Sequence, residues 1–78
     1  MKDILHFIIS SIVDNPDKVE ITEDDQDGVV NLNVTLAKED MGRVIGKNGK
    51  IIKSIRNVMK IPAIKQNKKI FINLEETS

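Results

Sequence analysis

The sequence predicts one α+β domain with the element order α-β-β-α-α-β, in which helices cover one face of a three-stranded mixed sheet. Three segments have apolar residues at helical spacing, and three others alternate apolar with polar residues as a half-buried strand does. A Gly-x-x-Gly sequence at residues 46–49 separates the two central helical segments. A chain of 78 residues has the size of a single domain, so we expect no separate catalytic domain.

The first segment is predicted to be an amphipathic helix over residues 2–14. Its apolar residues form one broad stripe at 100° per residue: Ile4, Leu5, Ile8, Ile9, Ile12 and Val13. Asn15-Pro16 is expected to end it, because the residue before a proline avoids the α region. The apolar run is far shorter than the roughly 20 residues of a membrane span, and it lacks a small-residue cleavage site. We therefore expect a soluble protein without a targeting signal.

Two other side chains of this helix have no clear role in its apolar stripe. Phe7 either covers the edge of the core or marks a surface for a partner. His6 is the only histidine, and the sequence pattern puts neither a nucleophile nor a second metal ligand beside it. We interpret His6 as a packed or surface residue and not as a catalytic one.

Two alternating segments predict an antiparallel hairpin. In residues 18–23, Val19 and Ile21 alternate with polar residues. In residues 29–36, one face consists of Val30, Leu32, Val34 and Leu36. The acidic run at residues 24–28 is predicted to be the turn, because its Asp-Gly pair favours the positive φ angles of a tight hairpin. A calcium loop beginning at Glu23 is disfavoured, since its twelfth residue is Val34 and not the glutamate that such a loop requires.

The second half of the chain is predicted to form two helices and a strand. A short helix over residues 38–45 precedes the glycines, and a longer one over residues 50–60 follows them. Pro62 stops or kinks the longer helix, or begins a final turn. The last strand is predicted over residues 70–74, before a polar tail at residues 75–78 that is expected to fray. A two-helix crossover is long enough to make the second and third strands parallel.

Charge is distributed unevenly along the chain, although its net value is zero. Residues 1–40 contain three basic and ten acidic residues, whereas residues 41–78 contain nine basic and two acidic ones. This asymmetry indicates either a basic face that attracts polyanions or a dipolar surface without such a partner. The absence of cysteine excludes disulfides and thiolate metal sites, and it fits a cytoplasmic location.

The glycine hinge is the most informative segment, because its pattern suits a clamp for a nucleic-acid backbone. Gly46 and Gly49 permit a sharp turn that leaves backbone N–H groups open to phosphates, and the next helix directs its positive dipole end to the same place. Lys47 and Asn48 are predicted to reach phosphate oxygens. Nearby cations that strengthen the field are Arg43, Lys50, Lys53 and Arg56.

The bases of such a ligand are predicted to lie in a groove between the helices and the second strand. Their expected floor is aliphatic and consists of Val44, Ile45 and Ile52. Base edges are expected to be read by hydrogen bonds. Ring stacking is not expected, since the sequence has no Tyr or Trp and both Phe7 and Phe71 lie outside the basic stretch.

Other functional interpretations of the basic segment fit its residues less well. A P-loop is disfavoured because Gly42 to Lys47 is one residue short of its spacing and Asn48 replaces the Ser or Thr that would hold magnesium. A helix-turn-helix for duplex DNA is disfavoured because the hinge is too short and rich in glycine. No acid–base pair, nucleophile with its base or metal cluster lies near the basic segment. We therefore expect no enzymatic activity, cofactor, metal or small-molecule substrate.

The segment around the two glycines resembles the signature of a known protein family. Residues 44–55 read Val-Ile-Gly-Lys-Asn-Gly-Lys-Ile-Ile-Lys-Ser-Ile, which resembles the KH-domain signature Val-Ile-Gly-x-x-Gly-x-x-Ile-x-x-Ile throughout. The order α-β-β-α-α-β is that of the type II KH fold. Since the chain ends right after its last strand, all of residues 1–78 resemble a small bacterial single-KH RNA-binding protein of the KhpA type. Residues 38–43 and 65–69 are similar to that family too.

The resemblance implies a function and a set of partners. It implies binding of single-stranded RNA, about four nucleotides per domain, with residues 46–49 against the backbone. It also implies pairing with itself or with a larger KH-containing protein, and a role as a post-transcriptional regulator or RNA chaperone. The alternative is a KH-fold dimerisation or interaction adaptor whose RNA binding is weak or supplied by its partner. Neither the preferred RNA sequence nor the choice between homodimer and heterodimer follows from these residues.

Overall fold

The computed structural model describes residues 1–77, and its element order confirms the predicted α+β fold. The helices are α1 (Lys2–Ser10), α2 (Met41–Ile45) and α3 (Lys50–Lys65). The strands are β1 (Glu20–Gln26), β2 (Val29–Leu36) and β3 (Lys69–Glu76). Short 3₁₀ turns occupy Pro16–Lys18, Lys38–Asp40 and Lys47–Gly49.

The sheet has the order β1-β2-β3, with β2 in the centre. β1 pairs antiparallel with β2, so that Glu20 lies opposite Thr35. β3 pairs parallel with β2, so that Val30 lies opposite Ile70. Both orientations confirm the prediction. A tight turn joins the antiparallel pair, and a two-helix crossover joins the parallel pair.

The core lies between β2 and the helices. Every second residue of β2 is fully buried, and the residues between them are only half-buried, which confirms the predicted alternation. Burying each such aliphatic side chain stabilises the fold by about 1.5–3 kcal/mol. The core cluster consists of Leu5, Ile9, Val19, Val30, Leu32, Val34, Leu36, Val44, Ile52, Ile55, Met59 and Ile72.

The hairpin turn is shorter than predicted. β1 continues through Gln26, so the acidic residues Asp24 and Asp25 belong to the strand and not to a turn. Only Asp27 and Gly28 form the turn, with φ angles of 53° and 80°. Two positive φ angles in a two-residue loop give a type I′ turn, whose twist matches that of the strands, and pairing therefore continues right up to it.

α1 also ends earlier than predicted, at Ser10 and not at residue 14. The cause is a tertiary contact, because the backbone N–H groups of Asp14 and Asn15 donate to the two carboxylate oxygens of Asp40, each at 3.0 Å. These groups are therefore not used to continue the helix. Ile12 still packs against the core from the turn that follows α1.

α3 extends past residue 60 to Lys65, so of the alternatives left open at Pro62 the chain continues as helix and does not stop there. Pro62 lies inside the helix, where it removes one backbone donor. Met59 and Ala63 are buried on either side of it, so packing holds the last turn in place despite the missing hydrogen bond.

The C-terminal end of α3 is set by Asn67. The Asn67 N–H donates to the Ile64 carbonyl at 3.0 Å, and the Lys68 N–H donates to the Ala63 carbonyl at 2.8 Å. With Asn67 at φ 55°, this pair of bonds is a Schellman motif. The chain then enters β3 directly.

β3 is longer than predicted and includes two residues assigned to the frayed tail. Glu75 pairs with Thr35 and Glu76 pairs with Leu36. The Thr77 N–H also donates to the Leu36 carbonyl at 2.8 Å. Pairing with the whole length of β2 therefore orders these polar residues, while Ser78 lies outside the described residues.

Candidate nucleic-acid interface

The GXXG loop, residues 46–49, turns the chain from α2 into α3. Three of its residues have positive φ angles: Gly46 at 74°, Asn48 at 58° and Gly49 at 72°. The side chains of Lys47 and Asn48 are exposed at the tip of the loop. Their backbone N–H groups begin the 3₁₀ turn, and the first donors of such a turn have no carbonyl partner within it. The loop therefore presents both side chains and backbone donors to a ligand.

The two glycines of the loop have different structural roles. A Cβ atom on Gly46 would lie 2.5 Å from Cγ1 of Ile51 and 2.9 Å from its Cβ. On Gly49 the nearest atom would be Cγ2 of Ile52, at 4.0 Å. Gly46 is therefore required by both its backbone angles and a close approach to α3, whereas Gly49 is required by its backbone angles alone.

The predicted cations lie on the surface around this loop and along α3. All five of these side chains are exposed: Arg43, Lys47, Lys50, Lys53 and Arg56. Lys53, Arg56 and Lys60 share one side of α3, because they are separated by three and four residues. Helical spacing also puts Lys60 on this cationic face, but it was not among the predicted site residues. This row of cations leads away from the GXXG loop.

The predicted aliphatic floor is only partly exposed. Val44 is fully buried in the core, so it has no surface that a base could contact, and its predicted place in the floor is wrong. Ile52 is 7% exposed, whereas Ile45 is 37% exposed. Helical periodicity placed the three residues near the loop but did not separate core from surface.

The groove beside α3 is bounded by β3 and not, as predicted, by the second strand. β2 is the central strand, and its helix-facing side chains are fully buried. The exposed edge of the sheet next to α3 is therefore formed by β3. A hollow of about 340 Å³ at this edge is lined by Arg56, Lys60, Ile70, Phe71, Ile72 and Asn73. The fold thus brings Phe71 beside the cations, although it is distant from most of them in sequence.

Asp40 is a buried residue that the sequence analysis did not identify. Its carboxylate accepts hydrogen bonds from the N–H groups of Asp14 and Asn15 and, at 3.1 Å, from the Asn15 side-chain amide. Burial raises the pKa of the Asp40 carboxyl, but these hydrogen bonds and the charge of Arg43 outweigh it and hold the pKa below its ordinary value. Asp40 thereby ties the loop after α1 to the start of α2.

The same loop makes an ion pair with a predicted site residue. Nη2 of Arg43 lies 3.1 Å from Oδ2 of Asp14, and both side chains are exposed. Of the predicted cations, Arg43 is the one with an acidic partner within residues 1–77. An exposed pair of this kind contributes only about 0–1 kcal/mol, so its main effect is on where Arg43 points.

Residues 1–77 lack two features of other protein classes. None of the helices in this part of the chain has the length and apolarity to cross a membrane. The same residues contain no group of three or more His, Cys, Asp or Glu side chains that could hold a metal ion.

The fold and the loop define the class of this protein. A GXXG loop between two helices, in an α-β-β-α-α-β domain whose third strand is parallel to the second, is the arrangement of a type II KH domain. The family model described as "KhpA/KhpB, KH domain" matches residues 2–74. This chain belongs to the KhpA/KhpB KH-domain family.

Curated relatives match almost the full chain. An RNA-binding protein KhpA of Clostridium acetobutylicum is 43% identical over 74 residues, which are 95% of this chain and 99% of the relative. An RNA-binding protein KhpA of Clostridium perfringens is 42% identical over 74 residues, again 95% of this chain and 99% of the relative. One from Listeria monocytogenes is 38% identical over 76 residues, 97% of this chain and 100% of the relative.

Substituting alanine for each glycine of the loop should separate their roles. Gly46→Ala should lower the free energy of unfolding by about 3 kcal/mol, because it adds a clash with Ile51 to an unfavourable backbone conformation. Gly49→Ala should lower it by about 1 kcal/mol, the cost of a left-handed alanine. Urea denaturation of both variants and the wild type measures the difference. Equal effects would contradict the steric role of Gly46.

Stability should depend on the ionisation of Asp40. Its pKa is lower in the folded chain, so the ionised carboxylate stabilises the fold above the unfolded-state pKa of about 3.9, and this contribution is lost as pH falls through the folded-state value. Asp40→Asn should therefore lower the urea midpoint at pH 7, and the difference from wild type should shrink below about pH 4. Glu39→Gln, at the exposed neighbouring carboxylate, is the control and should change little at either pH. A pH-independent effect of Asp40→Asn would contradict the role of its charge.

Proposed function

We propose that this chain binds single-stranded RNA, with the GXXG loop against the sugar–phosphate backbone. The observation that carries the proposal is the loop itself, whose exposed Lys47 and Asn48 stand at the end of a row of cations on α3. Membership of a family whose curated relatives are named RNA-binding proteins supports the same ligand. The proposal includes about four nucleotides per domain, as other KH domains hold.

The loop binds phosphate by charge and by donors of fixed direction. The backbone N–H groups of Lys47 and Asn48 donate to phosphate oxygens, and the Lys47 ammonium adds charge. Lys50, Lys53 and Arg56 continue the positive field along α3. The loop therefore holds the strand without distinguishing one base from another.

The bases lie in the groove between α3 and β3. Ile45 and the exposed part of Ile52 provide apolar contact near the loop. β3 pairs only with β2, so its outer edge offers backbone donors and acceptors to base edges. Base edges are accessible in this way only when the strand is unpaired, which favours single-stranded over duplex RNA.

Binding without catalysis suits the chemistry of this surface. Among residues 1–77 it combines cations, amides, aliphatic side chains and Phe71, and no acid–base pair or nucleophile lines it. We propose a post-transcriptional regulator or RNA chaperone that acts in the cytoplasm, a reducing compartment that suits the cysteine-free sequence.

A second candidate function, an adaptor that pairs KH domains, is favoured by an apolar surface on the other side of α3. A groove of about 430 Å³ between α1 and α3 is lined by Ile8, Ile12, Lys50, Ile51, Ser54, Ile55 and Val58. Phe7, Ile61 and Ile64 are exposed elsewhere on the same two helices. Apolar surface of this kind marks interaction sites. We propose a second copy of this chain or a larger KH-containing protein as the partner.

RNA binding should be lost when the tip of the loop becomes acidic. Lys47→Asp with Asn48→Asp should weaken binding of labelled single-stranded RNA at least about tenfold, because two carboxylates replace charge-assisted contacts to phosphate. Aspartate tolerates the left-handed backbone at residue 48, so the fold should be retained. Fluorescence anisotropy measures the affinity, and the wild type should give a log–log salt slope of roughly −2 to −3 from about three to four phosphates.

The control carries the same change of net charge away from the loop. Lys18→Asp with Gln26→Asp alters two exposed residues in the acidic half of the chain and should leave RNA affinity within about twofold. Equal affinity of the loop variant and the wild type would contradict the proposed function.

Pairing should depend on the apolar groove between α1 and α3. Val58→Glu places a charge in this groove and should raise the dissociation constant of a dimer at least about tenfold, since a buried unpaired charge is strongly unfavourable. Light scattering at several concentrations measures the mass. Asn57→Glu, at the exposed residue that precedes Val58 in α3, is the control. A wild type that stays monomeric alone and with a larger KH-containing protein would exclude the adaptor function.

A further inference from the structure

Phe71 is an aromatic residue in an unusual position. It is 53% exposed on β3, at the edge of the sheet. Its neighbours Ile70 and Ile72 face the helices, so Phe71 points to the opposite face of the strand, as alternation along a strand requires. Phe71 nevertheless lines the hollow that Arg56 and Lys60 share at this edge of the sheet, and it contributes little to the core.

Cationic residues line the same hollows as Phe71. The hollow of about 340 Å³ that contains Arg56 adjoins a second one of about 290 Å³. The two share Lys60, Ile70 and Phe71, and the second also includes Lys68 and Lys69. Lys68 is paired with Asp25, whereas Arg56, Lys60 and Lys69 have no acidic partner within residues 1–77. Phe71 thus shares these two hollows with three cationic residues that have no acidic partner within residues 1–77.

A row of cations on α3 connects the GXXG loop with the hollow that Phe71 lines. Lys53, Arg56 and Lys60 lie along one side of α3, and ten residues separate Lys50 from Lys60. At 1.5 Å per residue this distance is about 15 Å along the helix. A strand held by the loop and following these cations reaches Phe71 at the far end of the groove.

We propose that Phe71 stacks on a nucleobase of the bound RNA strand, at the end of the groove remote from the GXXG loop. Arg56, Lys60 and Lys69 hold the phosphates on either side of that base. The inference rests on the proposed function and adds to it a residue that contacts a base. Stacking on an aromatic ring accepts any base, because every base has a π face.

Asn73 adds a polar group next to the ring. Its Nδ2 donates to Oδ1 of Asn33 at 3.1 Å, which fixes the direction of the side-chain amide. The side-chain oxygen Oδ1 of Asn73, a residue that lines the same hollow, is then left as an acceptor. A base with an amino group on its edge can donate a hydrogen bond there, so adenine, cytosine and guanine are favoured over uracil at this position.

The test compares substitutions of Phe71 in binding to a mixed-sequence single-stranded RNA of eight nucleotides. Phe71→Ala and Phe71→Leu should both weaken binding at least about fivefold by fluorescence anisotropy, and Phe71→Trp should retain it. Since the sequence has no tryptophan, Phe71→Trp also provides a single fluorophore, whose emission RNA should quench. Ile4→Ala, at an exposed apolar residue outside both grooves, is the control and should leave affinity unchanged.

An abasic scan shows whether the ring acts through a base. One abasic nucleotide is moved along the same RNA, and at one position it should weaken binding to the wild type as much as Phe71→Ala does. At that position Phe71→Ala should cause no further loss. Additive losses at every position would overturn the stacking contact, even if Phe71→Ala binds weakly.

The outcomes separate this inference from the proposed function. If the wild type binds RNA and Phe71→Ala binds it equally well, the stacking contact is excluded and the GXXG clamp stands. If the wild type binds no RNA, both proposals fail. If Phe71→Ala changes the mass in light scattering but not the RNA affinity, Phe71 belongs to a protein contact and the inference is overturned.

Discussion

The close approach of the Gly46 backbone to Ile51 is the constraint on which the rest of the structure depends. No side chain fits between them, since a Cβ atom on Gly46 would lie 2.5 Å from Ile51. This contact lets α2 turn into α3 within four residues. The reversal buries Val44 and Ile52 on opposite sides of the loop and exposes Lys47 and Asn48 at its tip. One steric contact thus couples the packing of the core to the geometry of the candidate site.

α3 is the element that the core and two candidate surfaces share. Ile52, Ile55, Met59 and Ala63 pack inward, the cations follow one flank, and the apolar groove with α1 follows the other. Because the flanks face different directions, Lys50 in the first turn of α3 is the one residue named for both the RNA strand and the protein partner. Asp40 stabilises this arrangement from a distance, by fixing the start of α2 against the loop after α1.

The parts of the fold that were predicted correctly depend on local patterns. Alternation in residues 29–36 identified β2 and its buried face, and the spacing of apolar residues around Gly46 and Gly49 identified α2, α3 and the loop between them. The differences at the end of α1 and at the end of β3 involve contacts between distant residues, since the first depends on Asp40 and the second on pairing with β2. The shorter hairpin turn is instead a local effect of Asp27 and Gly28, and the continuation of α3 past Pro62 accompanies the burial of the nearby Met59 and Ala63.

The sequence by itself determined the fold class, the GXXG loop and the family, because each depends on residue type and spacing within a few turns of chain. Only the tertiary structure decided which apolar residues reach the surface and which strand borders the groove. Val44 lies near the loop in sequence but is buried, whereas Phe71 is distant in sequence from Lys53 and Arg56 but adjoins their groove. The reason is physical: parallel pairing places β3 at the sheet edge beside α3, and no local pattern encodes that neighbour.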